Sequence, residues 1–224
     1  MVVAMTVRMP RWFVGWVSRR YVAGSTLDDA VKVMKRLSKE GACFTIDVLG
    51  EEIKTMEEAQ FFLEEYQRVV SAIIDNQLDS NLSIKPTAFG LLLDKDKGME
   101  NIEAIVKMAH GHEMFVRLDM EDHRVTDDTI QVMVDMHDKG LTNVGVVLQG
   151  RLFRTLDDIK SIEEKIGLNA DYRICKGIYL EPDEIAHSAR QPIIDATNQC
   201  IDAMLDSGAY VGICLLYTSP SPRD

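Results

Sequence analysis

The ten residues R-I-C-K-G-I-Y-L-E-P, at positions 173–182, put two cations, a glycine and a tyrosine into an otherwise apolar run. Read as a strand, they point Arg173, Cys175, Gly177 and Tyr179 one way and Ile174, Lys176 and Ile178 the other. A buried guanidinium needs a partner, so something anionic or electron-rich is expected in front of Arg173. The same feature recurs outward along the chain. Short β-rich runs at 43–48, 82–85, 114–119 and 144–149 carry Asp47, Lys85, Asp119 and Gln149 at or near their ends, and a sixth run lies at 209–213. Polar residues at the ends of several strands are the habit of a (β/α)8 barrel, which builds its active site from the C-terminal ends of many strands. An open doubly wound sheet concentrates its site at one switch point instead. No G-x-G-x-x-G follows the first strand and no G-x-x-x-x-G-K-[ST] occurs, which leaves room for a flavin bound on a barrel.

Amphipathic helix patterns fill the intervals between strands. Leu156, Ile159, Ile162 and Ile166 mark one apolar stripe; Ala59, Phe62, Leu63, Tyr66, Val69 and Ile73 mark a longer one. Thr26, Thr55, Thr126 and Thr155, each followed by acids, read as helix caps. Alternating strands and helices predict a parallel sheet with helical crossovers. The expected fold class is therefore α/β, an incomplete (β/α)8 TIM-type barrel with about six of its eight strands. An N-terminal helical segment at 1–40 precedes the partial barrel at 41–214. Residues 215–224, L-Y-T-S-P-S-P-R-D after Leu215, are turn-rich and without periodicity, and are expected to be a non-native tail on a truncated chain.

Bulk properties narrow the function. The chain has 224 residues, 46% of them hydrophobic, enough for one sizeable core. A net charge of −11 argues against nucleic acid as partner. No apolar run approaches the roughly 18 residues of a membrane span. Cys43, Cys175, Cys200 and Cys214 form no C-x-x-C and read as buried thiols in a reducing compartment. His110, His112 and His123 lack a second ligand cluster, so no metal is expected.

The strand-end residues each admit more than one reading. Lys85 suits a carboxylate ligand, a Schiff-base nucleophile or a snorkelling surface residue. Asp119 suits a functional carboxylate or a partner for Arg117 or Arg124. Gln149 suits a planar heterocycle or a strand cap.

Taken in order, R-R-Y-V-A-G-S-T-L-D-D-A (19–30), D-V-L-G-E (47–51), S-I-K-P-T (83–87), R-L-D-M-E (117–121), V-V-L-Q (146–149) and the opening block resemble the proline dehydrogenases of the small, single-function bacterial type. The resemblance implies a flavoprotein that oxidises L-proline to pyrroline-5-carboxylate, holds FAD noncovalently and passes electrons to a membrane quinone. It implies a cytoplasmic protein, peripheral at the inner face of the membrane. It places Arg173 beside the reactive flavin nitrogen, Met120 and Gln149 on the flavin ring, and Lys176, Gly177 and Ile178 at the phosphate and ribitol region. Lys85 would pair the proline carboxylate, Asp119 would floor the site, Tyr179 would wall it, and Glu51 would form a gate with a late arginine. Departures are Ile178, usually alanine, and Gly150–Arg151, usually alanine and tyrosine. The family's threonine–histidine turn and its paired arginines have no match after Ile213. The chain alone is thus expected to be inactive, with open edges that favour aggregation. The alternatives are a Schiff-base lysine aldolase or decarboxylase on the same barrel, and a non-catalytic fragment.

Overall fold

In a computed structural model that describes residues 22–214, the elements alternate as expected: α1 (Leu27–Ser38), β1 (Phe44–Ile46), α2 (Met56–Asp75), β2 (Ser80–Ile84), α3 (Lys95–His110), β3 (Val116–Leu118), α4 (Thr126–Asp138), β4 (Val144–Gln149), α5 (Thr155–Ile166), β5 (Asp171–Cys175), α6 (Arg190–Asp206) and β6 (Tyr210–Ile213). The expected tail and the start of the N-terminal segment lie outside the described residues. The chain divides into two compact units. Of the described residues, one comprises 22–44 with Ser71–Ser80, and the other Thr45–Val70 with 81–214. In the first, the Thr26 side chain caps α1 by accepting from the Asp29 N–H.

The six strands form one sheet in the order β1-β2-β3-β4-β5-β6. Pairing is parallel from β2 through β6. Sequential order without a reversal is the signature of the barrel; a doubly wound sheet would turn back on itself. The architecture is therefore an open, partial TIM-type barrel. Its short β-branched strands alternate with helices whose apolar stripes cover one face. Leu82, Ile84, Val116, Leu118, Val144, Val146, Tyr172 and Ile174 are buried there, together with Ile102, Ile105, Met133, Ile159, Ile162 and Met204. Each such side chain contributes about 1.5–3 kcal/mol by leaving water. Helix α4 packs on β4, and α6 packs on β5 and β6.

The threonine signals divide into two kinds. The Thr55 hydroxyl accepts from the Glu58 N–H at the start of α2, as a cap should. Thr126 and Thr155 are instead the first helical residues, and their N-cap positions are Val125 and Arg154. Their hydroxyls donate backwards, to the carbonyls of Asp122 and Gln149. Both are 1% exposed, and each hydroxyl satisfies a carbonyl of the segment before its helix rather than a helix N–H.

The opening block also differs from its simple strand reading. β5 ends at Cys175, and Gly177 has φ of +96°, which breaks the alternation before Tyr179. Arg173 is exposed on the inner face, not buried. Of the cysteines, Cys200 alone is buried; Cys43 is exposed, and Cys175 and Cys214 are half-buried.

Candidate functional site

The inner face of the second unit, at the C-terminal strand ends, encloses a cleft of about 290 Å³. Its floor and walls come from Lys85 after β2, Asp119 and Met120 after β3, Val147 and Gln149 on β4, and Arg173 and Cys175 on β5. Glu51, Gly177, Ile178, Tyr179 and Cys214 complete it. Every expected site residue except Lys176 lines this cleft. Lys176 is half-buried and does not line it; the strand ends at Cys175, one residue earlier.

A polar network underlies one end. Pro86 holds Lys85 in extended backbone, φ −96° and ψ 115°, so its side chain continues the inner face of β2. Its Nζ donates to Asp119 Oδ2 at 2.9 Å and Asp47 Oδ2 at 3.3 Å. Ser83 Oγ donates to the other oxygen of Asp119 at 2.6 Å. Burial alone would lower the Lys85 pKa, but the hydrogen bond and charge of Asp119, with Asp47, outweigh it and hold the ammonium above its ordinary range. Arg117 and Arg124, the partners considered for Asp119, go elsewhere: Arg117 to Asp171 at 2.6 Å, and Arg124 to Asp122 and Glu52.

Tyr66 anchors this network and is legible in sequence only as part of an apolar stripe. Its side chain is fully buried, and its hydroxyl lies 3.0 Å from Asp47 Oδ1 and 2.8 Å from the Ser83 carbonyl while accepting the Val48 N–H at 3.1 Å. Burial first, then the Asp47 charge, pushes its pKa up, so it remains a neutral donor. Tyr66→Phe strands these buried groups and is expected to cost about 1–3 kcal/mol in urea denaturation. An unchanged midpoint would show the hydroxyl to be idle.

The other end is a set of unsatisfied groups. Gln149 is 1% exposed; its Nε2 donates to the Glu121 carbonyl at 2.7 Å, and its Oε1 is buried without a donor among the described residues. The β4–β5 register pairs Val147 with Arg173 and Gln149 with Cys175, so Arg173 shares the cleft face with that amide. Among the described residues, no hydrogen bond or ion pair engages the Arg173 guanidinium. Gly177 closes the cradle: a Cβ there would lie 2.3 Å from Gln149 Oε1 and 2.8 Å from Arg151 Cδ.

Arg151, which the sequence marks only as a departure from the family pattern, is a structural residue. Its guanidinium donates to the carbonyls of Tyr179 at 2.6 Å and His187 at 3.2 Å, stapling the loop after β5. Gly150 before it leaves room for α6, since a Cβ would meet Thr197 Oγ1 at 2.3 Å. Above the cleft, Tyr179 donates to Glu51 Oε2 at 3.1 Å, joining the loops after β1 and β5. Burial and the Glu51 charge raise the Tyr179 pKa and keep that donor protonated.

Glu121 supports the Gln149 anchor. It is 3% exposed and accepts from Thr87 N at 2.9 Å and Thr87 Oγ1 at 2.5 Å. Burial raises its pKa against these hydrogen bonds. The folded chain therefore holds this proton more tightly than the unfolded chain does. The resulting stability is complete below the ordinary value of 4.5 and is lost as pH rises through the raised folded value. Glu121→Gln removes the titration. Wild-type urea midpoints should then fall relative to the variant from pH 4.5 upward; a constant difference across that window would refute the assignment.

His110 and His112 are exposed at the end of α3, and His123 pairs with Glu181 at 2.5 Å. Among the described residues, no three histidine, cysteine or acidic side chains converge as metal ligands. Nor is any helix of the described residues long and apolar enough to cross a membrane.

Comparison with known proteins gives a consistent picture. The family model for proline dehydrogenase matches residues 30–207. Proline dehydrogenase 1 of Bacillus subtilis subsp. natto is 34% identical over 196 residues, covering 88% of this chain and 64% of the relative. Proline dehydrogenase of Deinococcus radiodurans is 28% identical over 201 residues, with coverage of 88% and 64%. The chain thus spans about two thirds of the length of these relatives, at 64%. Among solved structures, proline utilization A from Bdellovibrio bacteriovorus, inactivated by N-propargylglycine, superposes with a TM-score of 0.77 at 19% identity, covering 90% of this chain and 27% of that one. A mutant of proline utilization A from Bradyrhizobium japonicum gives a TM-score of 0.69 at 14% identity, covering 85% of this chain and 22% of that one. These two likenesses bear on the fold and agree with the partial barrel.

Proposed function

The chain belongs to the proline dehydrogenase family, and from that premise we propose that its protein oxidises L-proline to pyrroline-5-carboxylate, with FAD in the cleft and a membrane quinone as final acceptor. The observation that carries this reading is a pair of groups on one face of β4 and β5 that have no partner among the described residues, the buried Gln149 amide oxygen and the exposed Arg173 guanidinium. A planar heterocycle with an N–H edge and electron-accepting character fits both. FAD supplies a two-electron acceptor for the amine carbon of the substrate.

The chain's own residues hold and orient. Gln149, Met120, Gly177 and Ile178 would seat the flavin ring and its neighbouring chain, and Lys176, outside the cleft, would reach toward the phosphates. Arg173 supplies a fixed cation that favours electron gain in front of it. Lys85 has one ammonium donor beyond the two that Asp119 and Asp47 use, and that donor suits the substrate carboxylate. Asp119 holds Lys85 in place, and Tyr179 walls the site with Glu51. The cleft lining carries Lys85 and Arg173 against Asp119 and Glu51, a balance that suits a zwitterionic amino acid. Met120 and Val147 exclude water from the floor. At the cleft rim Ile178 is 75% exposed, and Leu180 beyond it is 98% exposed, apolar tips that suit an apolar electron acceptor and a cytoplasmic protein peripheral at the membrane's inner face.

The raised Lys85 pKa weighs against the Schiff-base alternative, which needs a neutral amine. The test is a titration with FAD of a protein spanning the full length of these relatives, followed by anaerobic L-proline. Uptake of FAD and bleaching of its visible absorbance by proline are expected. Failure to bind FAD, or bound FAD that proline leaves oxidised, would refute the proposal.

A further inference from the structure

Two half-buried thiols line the same cleft: Cys175 at the end of β5 and Cys214 immediately after β6. The β5–β6 ladder pairs Arg173 with Gly212 and Ile174 with Ile213, and the Cys214 N–H continues it by donating to the Ile174 carbonyl at 3.0 Å. The next pair in register is therefore Cys175 and Cys214. Both side chains point into the cleft, on the face that carries Arg173 and Gln149. Paired residues on neighbouring strands sit about 4.8 Å apart, inside the range of roughly 4.4–6.8 Å between Cα atoms that a disulfide spans.

From this placement we propose that Cys175 and Cys214 are a redox modification site, forming a reversible cross-strand disulfide when the protein meets a hydroperoxide. The step balances with the peroxide as oxidant. The Cys214 sulfur attacks one peroxide oxygen; the O–O bond breaks, the other oxygen leaves as alcohol or water, and Cys214 becomes a sulfenic acid. The Cys175 sulfur then attacks the Cys214 sulfur. The S–O bond breaks, the proton of Cys175 leaves with the hydroxide as water, and the S–S bond forms. In sum two thiols lose two electrons and two protons, and one peroxide is reduced.

The order follows from the surroundings. Burial pushes the Cys175 thiol up to about 11, so it stays protonated at neutral pH and acts second, turning from the Leu148 carbonyl on β4, to which its Sγ donates at 3.6 Å, toward Cys214 on the other side. Side chains on parallel neighbours project side by side rather than toward each other, so the bridge pulls β6 against β5. A bond under such strain is easily reduced, as suits a reversible modification. The thiols need no cofactor to pair, so the site stands independently of the flavin reading.

The experiment treats the full chain with hydrogen peroxide, alkylates it under denaturing conditions, and maps its peptides without reduction. Alkylatable thiols should fall from four to two per chain, with one linked peptide joining Cys175 to Cys214 that dithiothreitol separates. Cys200 should remain an alkylatable thiol. In Cys175→Ser, the peroxide-treated protein should instead carry a dimedone-reactive sulfenic acid at Cys214. The proposal is overturned if Cys175 and Cys214 remain alkylatable while exposed Cys43 links chains, or if the two oxidise separately to sulfinic acids with no linked peptide. The map of the unsubstituted chain decides this even where the variant does not fold.

Discussion

Gly177→Ala is expected to destabilise the protein by about 2–6 kcal/mol and to abolish its uptake of FAD. Two costs combine. The backbone at Gly177 has φ of +96°, a conformation that side chains with a Cβ rarely adopt, and holding one there costs about 1–3 kcal/mol. The added methyl would also lie 2.3 Å from Gln149 Oε1, 2.8 Å from Arg151 Cδ and 3.0 Å from Arg151 Cγ. Neither neighbour is placed to retreat. Gln149 is buried and tied to the Glu121 carbonyl, and Arg151 is tied to the carbonyls of Tyr179 and His187. Overpacking of this kind adds about 1–3 kcal/mol. Relief by turning the Gln149 amide would break its anchor and move the oxygen assigned to the cofactor. Urea denaturation should show a lower midpoint with an unchanged slope, and FAD titration should show no uptake. A midpoint within about 0.5 kcal/mol of wild type would mean that the loop after β5 has slack that this geometry denies.

The contrast between Gly177 and Tyr66 shows which parts of the site the sequence discloses. Strand-end residues are legible because their chemistry is out of place: Lys85, Asp119, Gln149 and Arg173 interrupt apolar runs, and the structure sets all four around one cleft. The six strands are legible for the same reason, as short β-rich runs between amphipathic stripes, and their order in the sheet follows their order in the chain. Tyr66 is not out of place. It falls in register with Ala59, Leu63, Val69 and Ile73 on the buried face of α2, so periodicity assigns it to the core, where its ring indeed lies. Its hydroxyl finds Asp47, Val48 and Ser83, partners 17 to 19 residues away that only the barrel brings together. Glu121 and Thr87 are hidden likewise, as a pair 34 residues apart. Arg151 reads as a departure from a familiar pattern, and its role appears only once the carbonyls of the β5–α6 loop are placed around it. Local pattern carries elements and strand-end chemistry; contacts whose partners are distant in sequence require the fold.

Arg173→Met tests the electrostatic part of the proposed mechanism and should separate from Gly177→Ala in every readout except turnover. Arg173 is exposed and, among the described residues, has no ion-pair partner, so its loss leaves no buried charge unpaired. Stability is expected to stay within about 0.5 kcal/mol of wild type. Methionine retains much of the apolar stem, so the cleft keeps its shape. What disappears is a fixed cation facing the cofactor position. In FAD-loaded protein the flavin reduction potential should fall, and reduction by proline should slow by a factor on the order of 100, the scale of losing one preorganised electrostatic stabiliser. Proline binding should change less, because the substrate carboxylate is assigned to Lys85. Lys85→Met should show the opposite pattern, with KM rising more than kcat falls. That variant also leaves Asp119 and Asp47, 20% and 26% exposed, facing each other without their cation, so it should lose stability where Arg173→Met does not. Stopped-flow reduction, potentiometry and urea denaturation on the two variants separate these roles. Wild-type potential and reduction rate in Arg173→Met would remove Arg173 from the electron-accepting end of the site and leave Gln149 as its sole orphaned group.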